Sequence, residues 1–268
     1  LLTASIFAIV LMFGAPAFAQ GGDDDGVLKL AEPDFTLIAM PTSLRLPLFK
    51  SAFRVTHRFV RPLKCDVCAD SLLEDLFGID NGALIGLEYR IGIVPGGQFT
   101  FHRARERKTI QLSGQYGLMR QGNSPLEVAL LGSIEGTENF KDEYSGAIGL
   151  VLTRMFGEIG AIHVDPMYVG NTNLDEPLDD DDNTFLVGIG ARLRVRPTVY
   201  VTAEFVPRAS GYKPGVNQAS FAIEKRAGGH MFQLNFSNSQ ATTPGSMARG
   251  GVTNDNWYMG FNISRKFF

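Results

Sequence analysis

The chain has 268 residues, with 30 Gly, 2 Cys and a formal net charge of -3. A balance so near neutral excludes the basic electrostatic footprint of a nucleic-acid-binding protein. Beyond the N-terminal stretch no run reaches the ~20 apolar residues of a spanning helix, which excludes a helical membrane bundle.

Residues 1–19, LLTASIFAIVLMFGAPAFA, are apolar and end in the small-residue pattern Ala17-Phe18-Ala19 before Gln20. They read as a secretory signal peptide cleaved after Ala19, with its charged beginning and initiator Met missing. The alternative, a membrane anchor helix, fits less well with a short run that carries a cleavage pattern. Residues 20–50 read as a periplasmic lead-in: they open on GGDDDG, and Pro33, Pro41 and Pro47 argue against a regular strand. Residues 51–268 read as one domain.

That domain consists of short stretches in which apolar and polar residues alternate, and alternate side chains of a strand face opposite sides of the sheet. The first predicted strand, 52–61, sets Phe53, Val55 and Phe59 against Arg54, Thr56 and Arg58. The second, 83–91, sets Ala83, Ile85, Leu87, Tyr89 and Ile91 against Gly86, Glu88 and Arg90. A turn at Val94-Pro95-Gly96-Gly97 leads into a third, 98–105, which alternates poorly. The fourth spans 108–118, the fifth 126–134, the sixth 144–154 and the seventh 159–168. The eighth, 185–196, is the clearest: Phe185, Val187, Ile189, Ala191, Leu193 and Val195 oppose Leu186, Gly188, Gly190, Arg192, Arg194 and Arg196. Strands at 199–205, 220–225, 232–236 and 257–267 complete the set. One apolar face and one charged or small face suit a β-barrel with lipid outside and a polar lumen inside. Only closed barrels and helices satisfy every backbone group in lipid. The fold class is therefore all-β, a single transmembrane antiparallel up-and-down barrel of about twelve strands, with ten to fourteen compatible.

From the second strand on, short turns (94–97, 121–125, 156–158, 196–197, 227–229) alternate with connections that include long ones (170–182, 208–217, 239–255). Short periplasmic turns and longer external loops are the asymmetry of outer-membrane barrels, and this phase puts both termini in the periplasm. A soluble sandwich or lipocalin-like barrel would also alternate, but with the apolar face inward. Gly beside Arg and Glu on the polar faces, and aromatics near predicted strand ends (Tyr89, Tyr168, Trp257, Phe267, Phe268), favour the membrane version. The amphipathic end WYMGFNISRKFF resembles the signal through which the barrel-assembly machinery recognises its clients, with Phe267 rather than Phe268 in phase with Trp257, Met259, Phe261 and Ile263.

Several segments, HRFVRPL (57–63), FGIDNGALIGLEYRI (77–91), YGLMRQ (116–121), EKRAGGHMFQLNFSNSQ (224–240) and FNISRKF (261–267), together resemble a family of bacterial β-barrel proteins of unknown function. The resemblance implies a barrel in the cell outer membrane of a Gram-negative-type bacterium, in contact with its lipids and lipopolysaccharide. It implies no activity and no catalytic residues.

Chemistry candidates are few. Cys65 and Cys68, in CDVC of the first external loop, read most simply as a disulfide in an exported chain. Haem attachment would need His where Ala69 stands, and zinc would need further ligands at a spacing that is absent. The acidic loop with Asp179, Asp180, Asp181 and Asp182 is a weak Ca²⁺ candidate, since it lacks EF-hand spacing, and a solvated loop is the simpler reading. Arg54, Arg58, Glu88, Arg90, Arg192, Arg194 and Glu204 are candidates to line the lumen. They read either as a charge-selective pore lining or as a paired network filling a narrow barrel. His163 and Asp165 share a strand face, but no nucleophile motif accompanies them, so an enzyme is not expected. His230 at a turn reads as a packing or interfacial residue, and His57 has no role in this reading. No cofactor is called for. The functional expectation is a passive porin-like channel for small polar solutes. The alternatives are a closed structural or surface-interaction barrel without transport and, less favoured, an outer-membrane lipid-acting enzyme.

Overall fold

A computed structural model describes residues 29–64, 82–174 and 183–268. Among them no helix is long and apolar enough to cross a membrane, and the regular structure is almost entirely strand. The strands are β1 (Ser51–Pro62), β2 (Ala83–Val94), β3 (Gly97–Ala104), β4 (Ile110–Met119), β5 (Glu127–Gly136), β6 (Asp142–Phe156) and β7 (Gly160–Val169). They continue with β8 (Thr184–Arg196), β9 (Val199–Val206), β10 (Arg208–Ser210), β11 (Gln218–Ala227), β12 (His230–Ser237) and β13 (Tyr258–Phe267).

All pairings are antiparallel, and apart from β10 the strands pair in chain order. β1 closes the sheet on β13, with Ser51 opposite Phe267 and His57 opposite Phe261. β10 continues β9 along β8 in the same register, Arg208 opposite Leu186 after Phe205 opposite Ile189, so the thirteen segments make twelve traverses. Pro207, which has no N–H, stands at the break between the two pieces. A second proline, Pro166, lies inside β7, where the β6–β7 ladder is interrupted between Gly149–Met167 and Leu152–Val164. Closure removes every sheet edge, the condition for a sheet in lipid.

The amphipathicity is inverted relative to a soluble barrel. Ile189, Leu193 and Val195 of β8 are exposed, whereas Leu186 and Arg192 are buried. The same holds around the wall, with Leu87, Phe101, Leu130, Ile148, Val201, Phe221 and Leu234 facing out. β3, which alternates poorly in the sequence, puts Phe99 and Phe101 outside and Gln98, Thr100 and His102 inside. Tyr144 and Tyr168 face out near the long-loop end and Tyr116 and Phe267 near the short-turn end, as an interfacial girdle does. Tyr89 departs from that expectation: it lies mid-strand, opposite Phe53 and Phe101. His57 joins the outer aromatic face, its ring stacked on Phe261 at 4.5 Å and edge-on to Phe59 at 4.6 Å.

The outer face gives a depth-dependent test. Ile189→Arg, in the middle of β8, should cost about 2–4 kcal/mol, and Val195→Arg, near its end, about 0–1 kcal/mol. Reversible urea unfolding in lipid vesicles measures both, and equal costs would contradict this placement of the bilayer.

Candidate functional site: a lumen stoppered from both ends

Inward-facing strand positions carry a dense set of buried polar groups. Arg54, Arg58, Glu88, Arg90, Arg192 and Glu204 are all buried and all point into the barrel. Buried charge is costly unless it is paired and hydrogen-bonded. Much of that pairing comes from the chain's own N-terminal segment.

Residues 29–46 do not lie beneath the barrel as a periplasmic lead-in. They enter it from the short-turn end, where Lys29 meets Glu127, fold over a tight hairpin, and return to the same end before β1. The Leu37 N–H donates to the Met40 carbonyl at 2.8 Å and the Thr42 N–H to Phe35 at 3.0 Å. The physical reason for the correction is apolar content: Phe35, Leu37, Ile38, Met40, Leu44 and Leu46 are nearly fully buried, and water would not hold such a segment in the open.

The hairpin is anchored residue by residue. The Glu204 carboxylate accepts the N–H groups of Ile38 at 2.5 Å and of Ala39 and Met40 at 2.9 Å each, a small anion nest on the hairpin tip. The Ile38 carbonyl accepts from Arg54, from Arg58 at 3.4 Å and from Asn262 at 3.2 Å. Arg192 bridges Glu224, at 2.8 and 3.0 Å, to the Thr36 carbonyl at 2.7 Å and to Glu32. His163 Nε2 lies 2.6 Å from Glu32, and its Nδ1 lies 2.9 Å from Thr153. Asp34 takes Ser264 at 2.7 Å and Lys266 at 3.2 Å. On the other wall Gln115 donates to the Thr42 carbonyl at 2.8 Å, and Arg90 pairs with Glu88 at 3.0 Å.

Two lumen-facing glycines make room for this segment. A Cβ on Gly188 would sit 2.8 Å from Met40 Cε, and one on Gly190 would sit 2.3 Å from Leu37 Cδ1. The Gly-rich inner face of β8 thus reflects close packing of the hairpin.

From the opposite end the β12–β13 connection folds inward. It carries a short helix, Pro244–Arg249, capped by reciprocal bonds between Thr243 and Ser246. Ala241, Met247 and Ala248 pack with Leu37, Ala39 and Met40 of the hairpin and with Leu131, Val151, Met167 and Leu186 of the wall. Burying a Leu or Met side chain is worth about 1.5–3 kcal/mol, so this contact holds both stoppers. Between the hairpin and the wall lies a small cavity of about 40 Å³ bounded by Arg54, Glu88, Arg90, Thr100, Gln111 and Thr36, and a larger one of about 560 Å³ opens at the hairpin's foot beside Lys29, Leu44, Leu46, Gly96 and Glu127.

Of the expected lining residues, Arg194 is corrected. It sits at the short-turn rim, bonded to Glu158 at 3.2 Å and to the Pro197 carbonyl at 3.3 Å, because β8 ends there. His163 and Asp165 share the inner face as expected, yet the partners of His163 are Thr153 and Glu32. His230 stacks near Phe232 at 5.9 Å and lies 3.5 Å from Arg265 on the rim. The signal peptide, the Cys65–Cys68 pair and the Asp179, Asp180, Asp181 and Asp182 run lie outside the described residues. The sequence reading missed the hairpin. The available signal was its apolar density, too high for a solvated linker.

The anchors make a test. Glu204→Leu leaves three buried N–H groups without an acceptor, each costing about 1–3 kcal/mol. Trypsin should then cut at Arg45 at least about tenfold faster, since tenfold needs only about 1.4 kcal/mol. Glu204→Gln, which keeps an acceptor, should change less. Mass spectrometry of timed digests reads both.

No curated protein matches the chain. In fold it is similar to a NanC porin structure (TM-score 0.52, 8% identity, covering 82% of this chain and 99% of that one). It is also similar to the outer membrane protein Omp33 of Acinetobacter baumannii (TM-score 0.48, 12% identity, 82% and 98% covered). A third likeness is to LpxR from Salmonella typhimurium (TM-score 0.42, 11% identity, 81% and 99% covered). The match to a family of proteins runs over residues 37–267, from the hairpin tip through the last strand, and the chain therefore belongs to the family described as membrane bound beta barrel domain (DUF5777).

Proposed function

We propose that the protein is an outer-membrane barrel whose lumen is a passive route for small polar solutes, closed at rest by its N-terminal hairpin. The observation that carries this reading is the asymmetry of the anchoring. On the side of β7 to β13 the hairpin is locked by Arg192, Glu204, Gln233, Asn262 and Lys266. On the side of β2 to β4 the anchors are fewer and lie toward the foot, where Gln115 holds Thr42 and Gln98 holds Leu44 and Leu46, and a polar wall of Glu88, Arg90, Thr100 and Gln111 faces a small residual cavity. A hairpin that yields on that side uncovers a hydrophilic path with two arginines, Arg54 and Arg90, around one glutamate, Glu88. Such a path favours anions.

A closed structural barrel is the second reading. The inward fold of the β12–β13 connection favours it, because the two stoppers meet in one apolar contact across the lumen.

Planar-bilayer recording separates the two. The full chain should be silent with brief openings, and Glu204→Leu should raise the open fraction at least about tenfold, in line with the lost anchors. Adding Arg90→Ala should shift the reversal potential toward cations. Lasting silence of Glu204→Leu, in protein that folds and shows faster cleavage at Arg45, would leave the structural reading.

A further inference from the structure

We infer a binding site for a small organic anion at the long-loop mouth of the barrel, distinct from the lumen and independent of whether the lumen conducts. A cavity of about 350 Å³ opens there between the β3–β4, β10–β11 and β12–β13 connections, within the lower range of small-molecule sites. Arg107, Arg249, Tyr212, Tyr258 and Gln240 line it, together with one carboxylate, Glu106.

Among the described residues, Arg208 and Arg249 place positive charge at the cavity's wall. Arg208 lies against the wall of the cavity, with its guanidinium carbon 3.2 Å from where a Cβ on Gly250 would stand. It donates to the carbonyls of Tyr212 at 3.0 Å, Pro214 at 2.7 Å and Arg249 at 3.3 Å. These dipoles satisfy its N–H groups without cancelling its charge. Arg249 has one carboxylate neighbour, Glu135 Oε1, at a loose 3.6 Å, and a carbonyl contact to Thr172 at 3.5 Å. The Glu135 carboxylate is itself buried against Thr243 and Gly245. Arg249 is therefore held between Glu135 below and the open cavity above.

A guanidinium fork matches carboxylate or phosphate oxygens, and such pairs strengthen where water is partly excluded. Tyr258 and Tyr212, whose ring lies 5.9 Å from the Arg208 guanidinium, line the cavity beside these cations and supply apolar surface for the carbon skeleton of the ligand. The ligand is thus a small organic acid carrying a carboxylate or a phosphate. Binding draws Arg249 from Glu135 and so acts on the last residue of the inward-folded helix.

Calorimetric titration of the refolded full chain at low salt tests the site, with gluconate and inorganic phosphate as probes and glucose as the neutral control. At least one anion should bind saturably and glucose should not. Comparison of the two anions assigns the carboxylate or phosphate preference. Arg249→Gln should weaken binding about tenfold or more, as loss of a charged partner does. Glu135→Gln breaks the same ion pair but keeps the cation, so it should bind as tightly or more tightly. Absence of binding by both anions up to about 10 mM, a range weaker than about -3 kcal/mol, would overturn the site. So would equal binding of glucose, unchanged affinity in Arg249→Gln, or equal weakening in both variants, which would reduce Arg249 to a structural role.

Discussion

The structure turns on how a twelve-traverse barrel disposes of the charges on its inner wall. Lipid forces apolar side chains outward, and strand alternation then sends every second residue inward, whether or not solvent can follow. In this chain the answer is a hairpin of its own backbone. The Glu204 carboxylate gathers three consecutive N–H groups at the hairpin tip, while Arg54, Arg58 and Asn262 converge on the Ile38 carbonyl. A short irregular segment has unpaired donors and acceptors of its own. The wall supplies partners for them, and the hairpin supplies partners for the wall.

Polar complementarity alone would leave the upper lumen open. There the contact changes character: Leu37, Ala39 and Met40 meet Ala241, Met247 and Ala248 from the opposite connection. The two stoppers share one apolar surface, so displacing either exposes the other. The lumen is polar around the hairpin's anchors and apolar where the stoppers meet and at the hairpin's foot. Movement of one element is therefore coupled to the other through direct packing.

The two ends of the barrel differ in chemistry as well as in loop length. At the short-turn end Phe268 packs against Phe35, Leu44, Leu46 and Ala52 at the foot of the hairpin, while Phe267 faces outward. At the long-loop end the wall opens into a cationic cavity above the inward-folded helix.

Strand order, strand phase and the outward face were legible in the sequence, because they follow from a period-two pattern read against lipid. Phe185 to Val195 of β8 shows this residue by residue, and so does the inward course of Arg192 and Glu204. The filling of the lumen was not legible. Residues 29–46 have no periodicity, and the prolines that ruled out a strand also hid a hairpin. Its partners Glu204, Arg192 and Asn262 lie more than 150 positions away in sequence. Gly188 and Gly190 were readable as small inward residues, but that they receive Met40 and Leu37 is a contact across the lumen. Alternation is a local property that one solvent boundary selects. The fit of an irregular segment into a closed cavity depends on every wall at once, and only tertiary structure decides it.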